Sequence, residues 1–244
     1  MYNENILIIG ANSGIANALI ENFLRDDSVS KIFAVSRSVP KSQILSNSGK
    51  IDWLLSDYTA PSVEQIVVEL QEREIKLNKV IICNGVLHGS LFSPEKRVKE
   101  IKLQSLEVVM RINAFIPMLW IKSLKALLRK SGYCSVTAFS ARIGSIQDNA
   151  KGGWYAYRAS KAALNMLMKT ASIEYQREST EIPFLLFHPG TTDTDLSRPF
   201  HKKVPNASIF KPDFVAKKLI MILNDLTYDG EIKFLDWKGE QIAW

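Results

Sequence analysis

The chain has 244 residues, 46% hydrophobic and 23% charged, with a formal net charge of +6 and two cysteines. That length and apolar content suit an α/β domain with a large core. No window is apolar for 18 residues, so no membrane span is expected, and the polar start Met1–Asn5 runs into Ile6–Ile9 without the layout of a signal peptide.

The positive charge forms no run of five like residues, and its densest cluster is His201-Lys202-Lys203. That distribution fits a protein that handles phosphorylated ligands better than a nucleic-acid binder. Cys83 and Cys134 have no CxxC spacing and no ligand-like histidine beside them, and read as reduced thiols of a cytoplasmic protein without a metal site.

Along the chain, short β-branched runs alternate with longer helical patterns. Strands are predicted at Ile6–Ile9, Lys31–Val35, Ile51–Leu55, Lys79–Cys83, Tyr133–Phe139, Pro183–Phe187 and Ile232–Leu235. Helices are predicted at Ala16–Leu24, at Val63–Leu70 after Pro61-Ser62, at Gln104–Lys130 with a bend at Pro117, at Tyr155–Tyr175 and at Pro212–Asn224. Alternation of this kind implies parallel strands joined by right-handed crossovers. Val80-Ile81-Ile82 is apolar without alternation, as a strand covered on both faces should be. No repeat or linker interrupts the pattern, so residues 1–244 read as a single doubly wound domain.

Gly10-Ala11-Asn12-Ser13-Gly14-Ile15-Ala16 follows the first strand and opens the first helix. Gly10 permits a tight turn, and Gly14 lets a diphosphate approach the helix N-terminus, where free N–H groups and the helix dipole favour an anion. The second strand leads into Ser36-Arg37, with no carboxylate at positions 34–38. An acidic residue there would bind a ribose 2′-hydroxyl, whereas the forked donors of Arg37 suit a 2′-phosphate, which favours NADP over NAD. Asp57, after the third strand, is placed to accept from an adenine amine or to act as a turn residue.

Tyr157 and Lys161, four apart in a predicted helix, share a face. A phenol near pKa ~10 is a poor proton donor at neutral pH until a cation stabilises its phenolate, and Lys161 is placed to supply that cation. Tyr155 has Ala159 at the matching position and lacks such a partner.

The pairing of G-x-x-x-G with Y-x-x-x-K resembles the short-chain dehydrogenase/reductase family over nearly the whole chain. The resemblance implies one doubly wound Rossmann domain of about seven parallel strands. It also implies hydride exchange between NADP(H) and a carbonyl or alcohol, with Tyr157 as general acid/base. By the same resemblance Asn84-Gly85 supports the sheet and cofactor, Asn113 continues the proton path past Lys161, and Ser140 bonds the substrate oxygen, with Ser145 a nearby rival. The segment Pro189-Gly190-Thr191-Thr192-Asp193-Thr194 meets the nicotinamide, with Gly190, Thr192 and Thr194 among its cofactor contacts. Departures from the pattern are Ile9, where the family commonly has Thr, and Cys83-Asn84-Gly85-Val86 in place of Asn-Asn-Ala-Gly. They touch turn support and leave the proton relay intact.

Within the family the segments Ser140–Ile146, Trp154–Leu164, His188–Leu196 and the Trp-Lys-Gly-Glu-Gln-Ile-Ala-Trp ending are most similar to the C-factor branch. That branch is linked to signalling, so a nucleotide-binding sensor with incidental turnover is the alternative to a carbonyl reductase.

Leu87, His88, Phe139, Trp154 and the lid-like segment Leu196–Pro205 are expected to wall a pocket for a hydrophobic carbonyl or alcohol substrate. His188 is expected to pack or to lie at the surface. Met110, Met118, Leu119, Trp120, Met166 and Met168 exceed what one buried stripe needs and are candidates for a partner surface, with a buried core as the competing explanation. The resemblance likewise implies a homodimer or homotetramer.

Overall fold

The computed structural model describes residues 3–40, 48–178, 181–203 and 205–244. Among the described residues nine strands run in chain order as β1 (Glu4–Ile9), β2 (Val29–Ser36), β3 (Ile51–Leu55), β4 (Lys79–Ile82), β5 (Ser135–Phe139), β6 (Phe184–His188), β7 (Thr191–Thr192), β8 (Ile209–Phe210) and β9 (Lys233–Asp236). Seven form one parallel sheet in the order β3-β2-β1-β4-β5-β6-β9. The order reverses direction between β1 and β4, and in open sheets of this kind the crevice beyond that switch point is where ligands bind.

The continuous apolar runs follow from two cores. Leu7 and Ile9 enter one cluster with Trp120, Leu124 and Met168, while Ile6 and Ile8 enter another with Leu19, Phe23 and Leu219. A strand sends alternate side chains to opposite faces, so β1 must be apolar throughout. Helices α1 (Gly14–Leu24) and α6 (Pro212–Asp225) cover the second face, and α2 (Ala60–Glu72), α4 (Ile116–Ser131) and α5 (Tyr155–Arg177) cover the first. The four fully buried residues Ile6–Ile9 each contribute about 1.5–3 kcal/mol.

The predicted elements hold, with shifted ends and two corrections of substance. The long helix expected over Gln104–Lys130 is α3 (Leu103–Met110), a wide π-helical turn (Arg111–Phe115) and α4. Pro117 has no N–H to give the Asn113 carbonyl four residues back, and its ring would crowd that carbonyl. The backbone widens, and Ile116 N–H bonds to Arg111 O. The second correction concerns the partner-surface candidates. Trp120 and Met168 are fully buried, whereas Met166 is 65% exposed. The short β7–β8 ladder, with Thr191 opposite Ile209 and Thr192 opposite Phe210, was not foreseen. Cys83 and Cys134 are free, and burial pushes both thiols up. Among the described residues no helix is long and apolar enough to cross a membrane.

Candidate active site

A cleft of about 570 Å³ opens at the carboxyl ends of the central strands. One end is built by the first βα turn. Gly10 has φ +80°, and a Cβ there would lie 2.9 Å from Asn84 N and 3.0 Å from the Cys83 carbonyl carbon. The turn after β1 therefore packs directly on the turn after β4. Gly10 itself does not line the cleft, but Asn12, Ser13, Gly14 and Ile15 do. Ser13 Oγ caps α1 by accepting from Ala16 N at 3.3 Å. Across the cleft Thr194 comes so close that a Cβ on Gly14 would sit 3.0 Å from its Cγ2. Asn84 and Gly85 line the floor, and Asn84 Oδ1 is buried without a partner among the described residues.

Arg37 and Asp57 stand outside this lining, both exposed at the sheet's end. The Asn12 amide donates to Ser38 O at 2.6 Å, tying the glycine turn to the segment that carries Arg37. Asp57 Oδ1 accepts from Thr59 N at 2.9 Å and from Thr59 Oγ1 at 2.7 Å, beside the start of α2. Those bonds hold its carboxyl below the usual range. Of the two readings given to Asp57, the geometry matches the turn residue.

Helix α5 forms the far wall. Lys161 is 2% exposed, and its Nζ donates to Phe139 O at 2.7 Å. That nitrogen lies 5.8 Å from the Tyr157 ring centroid. Burial pushes the Tyr157 phenol up to about 12 and the Lys161 ammonium down to about 8. The expected fall in the Tyr157 pKa is thus absent from this geometry, because removal from water outweighs a cation that faces a carbonyl.

Ser140 directly follows β5, lines the cleft and donates to Asn165 Oδ1 at 2.5 Å. Ser145, its rival, lies away from the cleft lining, donating to Trp244 O at 3.2 Å and accepting from Asp148 N at 3.1 Å. Asn113, fully buried in the π-helical turn, does not reach the cleft lining. Its amide bonds both Val86 N (2.7 Å) and Val86 O (2.9 Å), and also Ser160 Oγ (2.9 Å). Asn113 therefore fastens the loop after β4 to α5.

Pro189 through Asp195 line the opposite rim. Gly190, at φ +69°, leaves room for Phe210, whose Cε2 would lie 2.6 Å from an added Cβ. Beyond it Phe200 reaches over the cleft to pack on Trp154 at 5.0 Å and on His88 at 5.7 Å between ring centroids. Leu87, Phe139, Trp154, Leu196 and Phe200 line the cleft as expected, while His88 stands behind Phe200. Of the Leu196–Pro205 segment, the Lys203 side chain and Val204 lie outside the described residues.

Three contributors escaped the sequence. Asn165 continues the Tyr157–Lys161 stripe at the same four-residue spacing, a signal that could have been followed. His188, read as packing or surface, lines the cleft beside Ser140, and burial holds it down at about 4. Glu95, 4% exposed, accepts from Ala156 N at 3.2 Å and so caps the start of α5 from a loop 61 residues earlier. No local pattern announces that contact.

A parallel sheet with a glycine turn at its switch point faces a half-buried tyrosine and a buried lysine on one helix, an arrangement that suits an oxidoreductase. The family model described as short chain dehydrogenase matches residues 4–205, and the chain belongs to that family. It is 27% identical to 1-hydroxy-2-glutathionyl-2-methyl-3-butene dehydrogenase of Rhodococcus sp. (strain AD45), over 99% of this chain and 100% of that protein. It is 32% identical to C-signal of Myxococcus xanthus over 54% of this chain and 75% of that protein, in keeping with the C-factor resemblance. Among solved structures, the NADPH-bound carbonyl reductase from chicken fatty liver superposes with a TM-score of 0.86 at 24% identity, over 100% of both chains.

Proposed function

We propose that this protein is an NADP(H)-dependent carbonyl reductase or alcohol dehydrogenase acting on an apolar substrate. The observation that carries the proposal is the convergence of Ser140, Tyr157 and Lys161 on the cleft that Asn12–Ile15 opens. A nicotinamide cofactor fits the residues present. Gly14 leaves a gap against Thr194 that a side chain would fill, and the start of α1 offers free N–H groups beside it. Asn84 Oδ1 is an unmatched acceptor on the floor.

When bound, the cofactor supplies or accepts the hydride at a nicotinamide carbon. Gly10 shapes the turn from which Asn12, Ser13, Gly14 and Ile15 would hold the diphosphate, Arg37 would hold the adenosine 2′-phosphate, and Asn84, Gly85, Pro189, Gly190, Thr192 and Thr194 would hold the nicotinamide half. Asp57 would reach the adenine only through Oδ2, since Oδ1 serves Thr59. Tyr157 gives its phenolic proton to the oxygen of the reduced carbonyl, or takes one from an alcohol in reverse. Lys161 stabilises the phenolate left behind and holds the nicotinamide ribose. Ser140 hydrogen-bonds the substrate oxygen as charge builds there. Asn113 keeps the Val86 loop and α5 in register, so that water-borne protons can reach Lys161. The walls formed by Leu87, Phe139, Trp154 and Phe200 favour a hydrophobic ketone or aldehyde. By family resemblance we assign a homodimer or homotetramer, and from the two isolated thiols Cys83 and Cys134 a cytoplasmic location.

The test is NADPH oxidation with a panel of apolar diketones, quinones and aldehydes, in native protein and in Tyr157→Phe. Turnover lost in the variant while NADPH still binds supports the reading. NADPH binding with no turnover in either protein favours a nucleotide sensor, the reading kept alive by the likeness to C-signal.

A further inference from the structure

Asn165 lies one turn beyond Lys161 on α5 and directly behind Ser140, away from the cleft lining. Ser140 is 3% and Asn165 4% exposed, so water does not mediate between them. The Ser140 hydroxyl donates to Asn165 Oδ1 at 2.5 Å, and Asn165 Nδ2 is buried with no partner among the described residues. This arrangement is unfavourable twice over. It strands an N–H donor, which proteins avoid more strictly than a stranded carbonyl. It also spends the serine's only proton on the protein, leaving a hydroxyl that can accept but cannot donate.

A half-turn of the amide about its last bond keeps the shape and removes both difficulties. Nδ2 then donates to Ser140 Oγ, the stranded atom becomes a carbonyl oxygen, and the serine proton is free to point into the cleft. We propose that Asn165 is a positioning residue that donates through Nδ2 to Ser140 Oγ and thereby directs the serine hydroxyl proton at the substrate oxygen. The assignment rests on the reading of Ser140 as the donor to that oxygen. It makes Asn165 the third functional position on the stripe begun by Tyr157 and Lys161, acting through Ser140 without touching substrate.

The experiment compares Asn165→Ala, Asn165→Asp, Ser140→Ala and the double variant Ser140→Ala/Asn165→Ala by kcat, KM and NADPH affinity. Asn165→Ala lowers kcat about tenfold, less than the 10²–10³-fold typical of losing an oxyanion donor itself, and leaves NADPH affinity unchanged. Asn165→Asp, which can only accept, recaptures the serine proton and lowers kcat at least as much. The double variant is no slower than Ser140→Ala, because without the hydroxyl Asn165 has nothing to direct.

Native turnover in Asn165→Asp, or losses that multiply in the double variant, would overturn the proposal. Should Asn165→Asp fail to fold, Asn165→Ala and the double variant decide alone. If Ser140→Ala itself turns over normally, the reading of Ser140 falls and the proposal with it. If Ser140→Ala is slow but Asn165→Ala is not, only the role of Asn165 is refuted.

Discussion

Lys161→Met should make this protein more stable while destroying its activity. The ammonium is 2% exposed, its Nζ donates to Phe139 O, and burial lowers its pKa from 10.5 to about 8. In the unfolded chain it regains an ordinary lysine pKa, so at pH 7 the unfolded state holds the proton more tightly and the charge works against folding. A depression of roughly 2.5 units at about 1.4 kcal/mol each amounts to about 3 kcal/mol. Methionine fills most of the space but strands the Phe139 carbonyl, which costs about 1 kcal/mol. The net gain of about 2 kcal/mol raises Tm by roughly 4–8 °C in a chain of this size.

The sign fixes the pH window. The folded-state pKa is the lower one, so the cost is complete below pH 8, fades as pH rises toward 10.5 and vanishes above it. Thermal unfolding of both proteins at pH 7, 8, 9 and 10 should show the variant's advantage shrinking step by step. A variant that melts below native protein, with a deficit independent of pH, would refute the argument, because the ammonium would then be stabilised where it lies.

Two further outcomes follow from the same geometry. Arg37→Asp should weaken NADPH far more than NADH, measured by fluorescence titration, and a native protein that prefers NADH contradicts the role given to Arg37. His188 is held near 4, chiefly by burial and next by the Arg142 charge, with Asp236 opposing. Its contribution to stability is therefore present above about pH 6.5 and lost as pH falls toward 4, on the order of 3 kcal/mol. His188→Gln should lose less Tm than native protein between pH 7 and 4.5, and equal losses would contradict the assignment.

What the sequence disclosed and withheld follows from the range of the contacts involved. β1 was legible because a strand feeding both cores must be apolar at every position from Ile6 to Ile9. Tyr157 and Lys161 were legible because four-residue spacing on a helix is a local fact. Asn165 shares that spacing, but an asparagine gains meaning only when the fold sets Ser140 beside it. Glu95 could not be found, because its partner Ala156 is distant in the chain and joined only by the fold. Pro117 signalled a disturbance, but not that the helix would widen and turn Asn113 into the core. Trp120 and Met168 were surplus apolar residues on long helices, and the sheet and its neighbouring helices absorb them.

Deuterium carried from cofactor to product would report hydride exchange at this cleft. NADPH carrying deuterium at the nicotinamide C4 position, in turn on each face, is incubated with native protein and a ketone that is consumed, and the alcohol is examined by mass spectrometry. One deuterium is expected on the carbinol carbon from one face only, with no labelled alcohol from Tyr157→Phe. Alcohol that forms without deuterium from either face, or labelled alcohol from Tyr157→Phe at the native rate, would contradict it.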